Sequence, residues 1–289
     1  MAPVRDFLPT LLVAVVVILL GVAGYVALFD DDSVGAINLQ RVSGDVEVHS
    51  RQGSGAGVTG QVLEPGDRVI ANEGGQAVLA FGEASSIVLE ERSSLKVRGA
   101  GEDGVEVELE GGRARAVVRA GDGTLGVLNG DRRVEASDAT FQVGVDPDGA
   151  LAVETEEGTV ALQGFGDREG LGPGERISLV PGGDPWVSDA ERDLLLEVDP
   201  AKALIARREQ TLTGTSDPGA RLRIEGGLAP VEGRADGDGA WRLTVALSEG
   251  DNNLTVTAVD ALGEETTVDW TVVVDTRPPE AVEIVVGGP

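Results

Sequence analysis

Few residues in this chain could do chemistry. His49 is the single histidine, and there is no cysteine. A Ser-His-Asp site needs an ordered histidine and an oxyanion hole, and nothing around His49 supplies either. The lack of cysteine excludes disulfides, thiolate metal sites, a cysteine nucleophile and the lipid-bearing cysteine of a bacterial lipoprotein. No GxxxxGK[ST] phosphate loop occurs. The 50 acidic residues leave room for a pair of glycosidase carboxylates, but nearly all fall at alternate positions of extended segments or in turns, as a solvated face would place them. Asp236-Gly237-Asp238-Gly239 has half the look of a calcium loop. Calcium wants roughly six to eight oxygens, and Asp-Gly is also the ordinary hairpin turn, so the turn is the better reading. Trp186, Trp241 and Trp270 could stack on sugar rings. Trp241 and Trp270 fall where strands should face inward, and Trp186 stays open between the two uses. Asn253-Leu254-Thr255 spells a glycosylation sequon and is most simply the start of a strand. The expectation is a protein with no catalytic, cofactor or metal residues, and not an enzyme.

The elements that would position these residues begin with an apolar segment. No charged side chain occurs from Phe7 to Phe29. At about 1.5 Å rise per residue such a run crosses the roughly 30 Å hydrocarbon core as one helix. Arg5 and the amino terminus precede it, and Asp30, Asp31 and Asp32 follow. Positive charge stays cytoplasmic, so residues 7–29 are expected to anchor the chain in the inner membrane with the amino end inside and the bulk outside. A cleaved signal peptide, with Gly21-Val22-Ala23 as its site, is the alternative. The formal charge of −27 argues against nucleic acid and anionic lipid surfaces as partners, since both would repel it.

From Val42 to about Leu179, short alternating segments are divided by glycine turns, and no helical period appears. In VEVELEGGRARAVV the alternation predicts a hairpin turning at Gly111-Gly112. That would put Glu110 opposite Arg113 and Glu108 opposite Arg115, a charge ladder on the wet face rather than an anion site. A second hairpin is predicted at Asp146-Pro147-Asp148-Gly149, where proline presets φ and glycine supplies a left-handed position. In PWVSDAERDLLLEVDP, Ser188 with Glu191 spells a capping box, and Leu194, Leu195 and Val198 give a partial apolar face. A short helix is expected near Asp189–Glu197, ended by Asp199-Pro200.

The order of pieces VSGDVEV, LEPGDRVIANEGGQAVLAF, SSIVLEERSSLKV, VELEGGRARAVV, RVEASDATFQVGVDPDGALAVETEEGTVAL and LGPGERISL resembles the periplasmic domain of the FecR family. The likeness covers about Val42 to Leu179. It departs at Ser137–Phe141, where the family tends to show Gly-Thr-x-Phe. From Gln210 to Asp275 the sequence resembles a bacterial immunoglobulin-like repeat, carried by Gly214 with Asp217-Pro218-Gly219-Ala220, Gly239-Ala240-Trp241, Gly250–Leu254 and Asp260-Ala261-Leu262-Gly263. Six or seven short strands would form a small Greek-key sandwich, without the cysteine pair of antibody domains.

The expected fold is therefore mainly β. It divides into a cytoplasmic tail and anchor (1–32), a FecR-like β domain (33–184), a linker with a short helix (185–209), an immunoglobulin-like domain (210–276) and a tail (277–289). The FecR resemblance implies a periplasmic sensor coupled through one span to a cytoplasmic anti-sigma segment, and Met1–Asp6 cannot provide that segment. The primary expectation is a membrane-anchored, non-catalytic binding or scaffold module of the bacterial envelope. Its partner would be another envelope protein or a cell-wall glycan. The alternatives are a subunit of a FecR-type signalling system with output from another protein, and an accessory fragment of a glycan-processing enzyme.

Overall fold

The computed structural model describes residues 36–277 apart from Glu102. The anchor expected at residues 7–29 and the tail beyond Arg277 lie outside the described residues. Among the described residues every regular element is a strand.

The first domain deals its strands to two facing sheets, mostly two at a time. Sheet A takes β1 (Ile37–Ser43), sheet B takes β2 (Val46–Ser50) and β3 (Gly53–Ala56), and β4 (Val62–Leu63) and β5 (Arg68–Ala71) split between A and B. Then β6 (Gln76–Phe81) and β7 (Ser85–Leu89) join A, and β8 (Ser93–Gly101) joins B. The long β9 (Gly104–Val118) belongs to both. After it, β10 (Thr124–Asn129) and β11 (Arg132–Ala136) lie in B, and β12 (Ala139–Val145) and β13 (Leu151–Gly158) in A. The pairs β14 (Val160–Gln163) with β15 (Gly170–Leu171) and β16 (Glu175–Leu179) with β17 (Trp186–Asp189) repeat the same step, B then A. Pairing is antiparallel except for β9 with β10. Period-two alternation aims one set of side chains between the sheets. Leu39, Leu79, Phe81, Ile87, Leu95, Leu109, Phe141, Val153, Phe165 and Ile177 form that continuous core, all almost fully buried.

The hairpin expected at Gly111-Gly112 does not form. The chain runs straight through as β9. Residues up to Gly111 pair with β8, and residues from Gly112 onward pair with β12 and β7. Glu108 faces Lys96 across the ladder, and Arg115 faces Gln142 and Val88, so Glu108 and Arg115 are not cross-strand neighbours. The inward residues change from odd positions (Val105, Val107, Leu109) to even ones (Ala114, Ala116, Val118) at the two glycines. A hairpin and a bend that carries a strand into the opposite sheet both produce that change of parity. Gly112 makes the bend with φ +83, against Ser93 and the Arg92 carbonyl. The charge ladder exists with other partners. Glu108 pairs with Arg98, Glu110 with Arg68, Arg113 with Glu90 and Arg115 with Glu156.

The helix expected near Asp189–Glu197 is absent. Ser188 lies within β17, opposite Arg176, and the Asp189 carboxylate accepts the Glu191 N–H in a turn. Leu194, Leu196 and Val198 then pack on the second core while Leu195 points to solvent. The leucine run is used with the period of a strand, because the second domain offers β18 (Leu196–Val198) an edge to pair with.

The second domain is a two-sheet sandwich. One sheet is ordered β18, β20 (Glu209–Ser216), β23 (Ala240–Ala246). The other is ordered β19 (Leu204–Ile205), β25 (Glu265–Val274), β24 (Gly250–Val259), β21 (Arg221–Glu225), β22 (Val231–Arg234). Leu212, Leu222, Ile224, Trp241, Val245, Leu254, Val256 and Val272 fill the space between them, with no disulfide.

Candidate functional site

The alternation of β12, β13 and β16 puts Gln142, Glu154 and Arg176 in one row on the outer face of sheet A. Gly144, Ala152 and Ser178 form the next row. An outer face should be wet, yet Ala152 is 1% exposed and Arg176 3%. The second domain covers them. Its turn between β24 and β25, Asp260-Ala261-Leu262-Gly263-Glu264, sits on this face so closely that a Cβ on Gly144 would run into the Ala261 carbonyl. The small residues of the row are what allow the backbones to approach.

Two arginines cross the boundary in opposite directions. Arg176 of the first domain holds Glu154 of its own sheet (2.6 Å) and reaches Asp260 (3.1 Å) and Glu264 (2.6 Å) of the second. Arg234 of the second domain reaches Asp146 (2.5 Å) and Asp148 (2.8 Å) in the β12–β13 turn of the first. It also donates to the Gly219 carbonyl oxygen. Arg113 adds a third crossing, from its guanidinium to the Leu262 carbonyl oxygen at 3.4 Å.

The two acidic turns are built alike, and their local sequences explain why. In Asp146-Pro147-Asp148-Gly149-Ala150 the Asp146 Oδ1 accepts the N–H groups of Asp148 and Ala150. In Asp260–Glu264 the Asp260 Oδ1 accepts the Glu264 N–H. The fourth residue is glycine at φ +84 or +83 in the two turns, a backbone that other residues rarely adopt. With Oδ1 committed to its own turn, Oδ2 points outward to take the arginine of the other domain. The predicted Asp-Pro-Asp-Gly hairpin thus forms as expected, with Val145 opposite Leu151.

The electrostatics at Arg176 are unbalanced, with three carboxylates around one guanidinium. Burial pushes the Asp260 carboxyl up to about 6. Attraction to Arg176 and the turn's own N–H groups oppose this, and the Glu264 charge adds to it. Burial also works against the Arg176 charge, but its bonds to Glu264 and Glu154 more than compensate and hold it above the usual guanidinium range. The guanidinium is the fixed charge of the cluster, and Asp260 is a carboxyl held above its ordinary range. A small cavity lined by Ala150, Leu179, Pro218 and Asp260 adjoins it.

None of the residues weighed for chemistry in the sequence takes part in these arginine clamps. His49 is half-buried on β2, its Nε2 3.0 Å from the Glu47 carboxylate. Asp236–Gly239 is a third turn of the same design, joining β22 to β23, with Asp236 Oδ1 accepting the N–H groups of Asp238 and Ala240. Among the described residues no group of His, Cys, Asp and Glu is arranged to hold a metal. Trp241 is buried in the second core and Trp270 packs against it. Trp186 is half-buried on β17, with the Arg192 guanidinium 4.9 Å from its ring centre, a cation–π contact. Asn253 is exposed on β24 and accepts a hydrogen bond from Thr271. Sequence reading missed Arg176 and Arg234 as joining residues. The repeated Asp-x-x-Gly turn was the available signal, but nothing local says which arginine each turn receives.

Two family models match, one within each β domain. The family model described as FecR protein matches residues 67–161, and the one described as bacterial Ig domain matches residues 198–275. Two solved structures of a proposed anti-sigma factor from Parabacteroides distasonis, at 1.65 and 2.50 Å resolution, are similar at 19% identity with TM-scores of 0.37 and 0.38. In each case the likeness covers 42% of this chain and 59% of that one, so it spans less than two thirds of the other protein's length. No curated protein matches the chain significantly. The chain carries a FecR domain followed by a bacterial Ig domain.

Proposed function

We propose that this protein is a non-catalytic regulatory module of FecR type, anchored in the inner membrane through residues 7–29, whose two β domains act together outside the membrane as one binding unit. The observation that carries the reading is the FecR domain itself, matched over 67–161. The joined domains add to it, because a ligand or partner held by one domain would bear on the other through Arg176 and Arg234. The natural ligands are an envelope protein or a cell-wall glycan, since the acidic surface repels nucleic acid. A scaffold role, in which the unit only holds a partner in place, is the second reading. It is favoured by the docking of the Ig domain onto the FecR sheet.

Deleting the gene and restoring the full chain from a plasmid separates the two. A regulator should shift a defined set of transcripts that returns on restoration. An unchanged transcript profile, with envelope partners lost from their usual place, would replace the regulatory reading with the scaffold. The topology has its own test. A reporter active only after export, fused behind Pro289, should be active. A silent export reporter beside a working cytoplasmic one would reverse the orientation argued from Arg5 and Asp30–Asp32.

A further inference from the structure

The domain interface has two clamps of different chemistry. Arg234 with Asp146 and Asp148 balances its charge with an exposed carboxylate to spare; Asp148 is held below the usual carboxylate range by the hydrogen bond from Arg234. The Arg176 cluster is buried except for Glu264, whose side chain reaches solvent, and carries an excess of negative charge. We propose that the FecR and Ig domains form a proton-operated latch, closed in acid around Arg176 and loosened as the pH rises towards neutrality. The proposal concerns the coupling between the domains and does not rest on the regulatory reading.

The groups that face Asp260 come from several elements. Arg176 reaches it from β16, Glu154 stands behind Arg176 on β13, and Glu264 ends its own turn. Arg113 on β9 meets the same turn at the Leu262 carbonyl and is itself paired with Glu90. Asp217 borders the adjoining cavity and is bound by Arg192. The nearby cations are thus each shared with another carboxylate, and none is left to neutralise Asp260 and Glu264 together. One proton on Asp260 halves the excess, from two negative charges to one, while leaving its Oδ1 available to the turn.

The direction follows from linkage. In the closed state the Asp260 carboxyl titrates at about 6, above its ordinary 3.8. The closed state therefore holds the proton more tightly than the open one. The added stability is fully present below about 3.8 and is lost as the pH rises through about 6. A difference of about two units changes the closed-to-open ratio by up to about 100-fold.

The chain has no cysteine, so two introduced thiols can be labelled without interference. Spin labels on Thr159→Cys and Thr244→Cys, both exposed, report the separation of the domains by pulsed electron resonance in the full chain. The measurement is made in the parent and in Arg234→Gln, which removes the other clamp and brings the equilibrium into range. The expected result in Arg234→Gln is one narrow distance at pH 4.5 that gives way to a broad, longer distribution by pH 7.5. Asp260→Asn keeps the turn's acceptor but cannot titrate, and should stay closed at both pH values. An unchanged distribution in Arg234→Gln, opening in acid rather than near neutrality, or a pH response that survives Asp260→Asn would each overturn the latch. Circular dichroism of each variant distinguishes a separated Ig domain, which keeps its strand signal, from an unfolded one. Loss of that signal at pH 7.5 would also overturn the latch.

Discussion

Replacing Arg176 with methionine should separate the melting of the two domains and weaken their docking at pH 7 by about 3–5 kcal/mol, the usual cost of leaving one side of a buried ion set unpaired. Methionine keeps the aliphatic stem that fills the space between sheet A and the Asp260–Glu264 turn, so the loss is one of charge rather than volume. What remains is Glu154, Asp260 and Glu264 facing one another without their cation. Calorimetry is the measurement. The parent should show coupled unfolding of its two cores, and the variant two transitions. The deficit should shrink in acid, where Asp260 takes up its proton and the repulsion falls. Replacing Arg223, whose partners Glu225 and Glu232 are exposed on β21 and β22, should cost less than about 1 kcal/mol, as exposed pairs do. A single unchanged transition for Arg176→Met would mean that the domains are held by something other than this cluster.

The second large effect is expected at Gly112, where β9 passes from one sheet to the other. A left-handed backbone costs an L-residue about 1–2 kcal/mol, and forcing extra atoms into a packed site costs about 1–3 kcal/mol more. At φ +83 a Cβ on Gly112 would stand 2.5 Å from Ser93 Cα and 2.6 Å from the Arg92 carbonyl oxygen. Gly112→Val should therefore destabilise the FecR domain by several kcal/mol. Gly111→Val, one residue earlier, meets nothing within 4 Å and needs no left-handed backbone, so it should be nearly neutral. Urea denaturation of the two variants decides the matter. Equal losses would mean that the bend is spread over both glycines, and a larger loss at Gly111 would put it at the wrong residue. The comparison bears directly on topology, since a two-residue hairpin would have made both positions sensitive.

The sequence by itself determined which residues face inward. Alternation along QAVLAF, SSIVL and TFQVGV is a property of each segment, and the burial of Leu79, Ile87 and Phe141 follows it. It also determined the Asp-Pro-Asp-Gly turn, because proline and glycine restrict the backbone locally and Asp146 satisfies the turn's N–H groups from within. The two family resemblances were legible for the same reason, as ordered sets of such local signals.

Only the tertiary structure decided what each strand pairs with. The parity change at Gly111-Gly112 fits both a reversal and a bend, and the presence of β8 on one side and β7 and β12 on the other chooses the bend. The capping-box pattern at Ser188 and Glu191 lost to pairing. Backbone groups of Trp186–Asp189 found partners on β16, and Leu194 and Leu196 found a core to enter on strand spacing. The domain interface lay furthest from sequence reading. Arg176, Asp260, Asp146 and Arg234 each sit in segments that look solvated, on the polar side of the alternation or in a turn. Their burial comes from residues more than 80 positions away in the chain, and such long-range contact leaves no periodic trace in either segment.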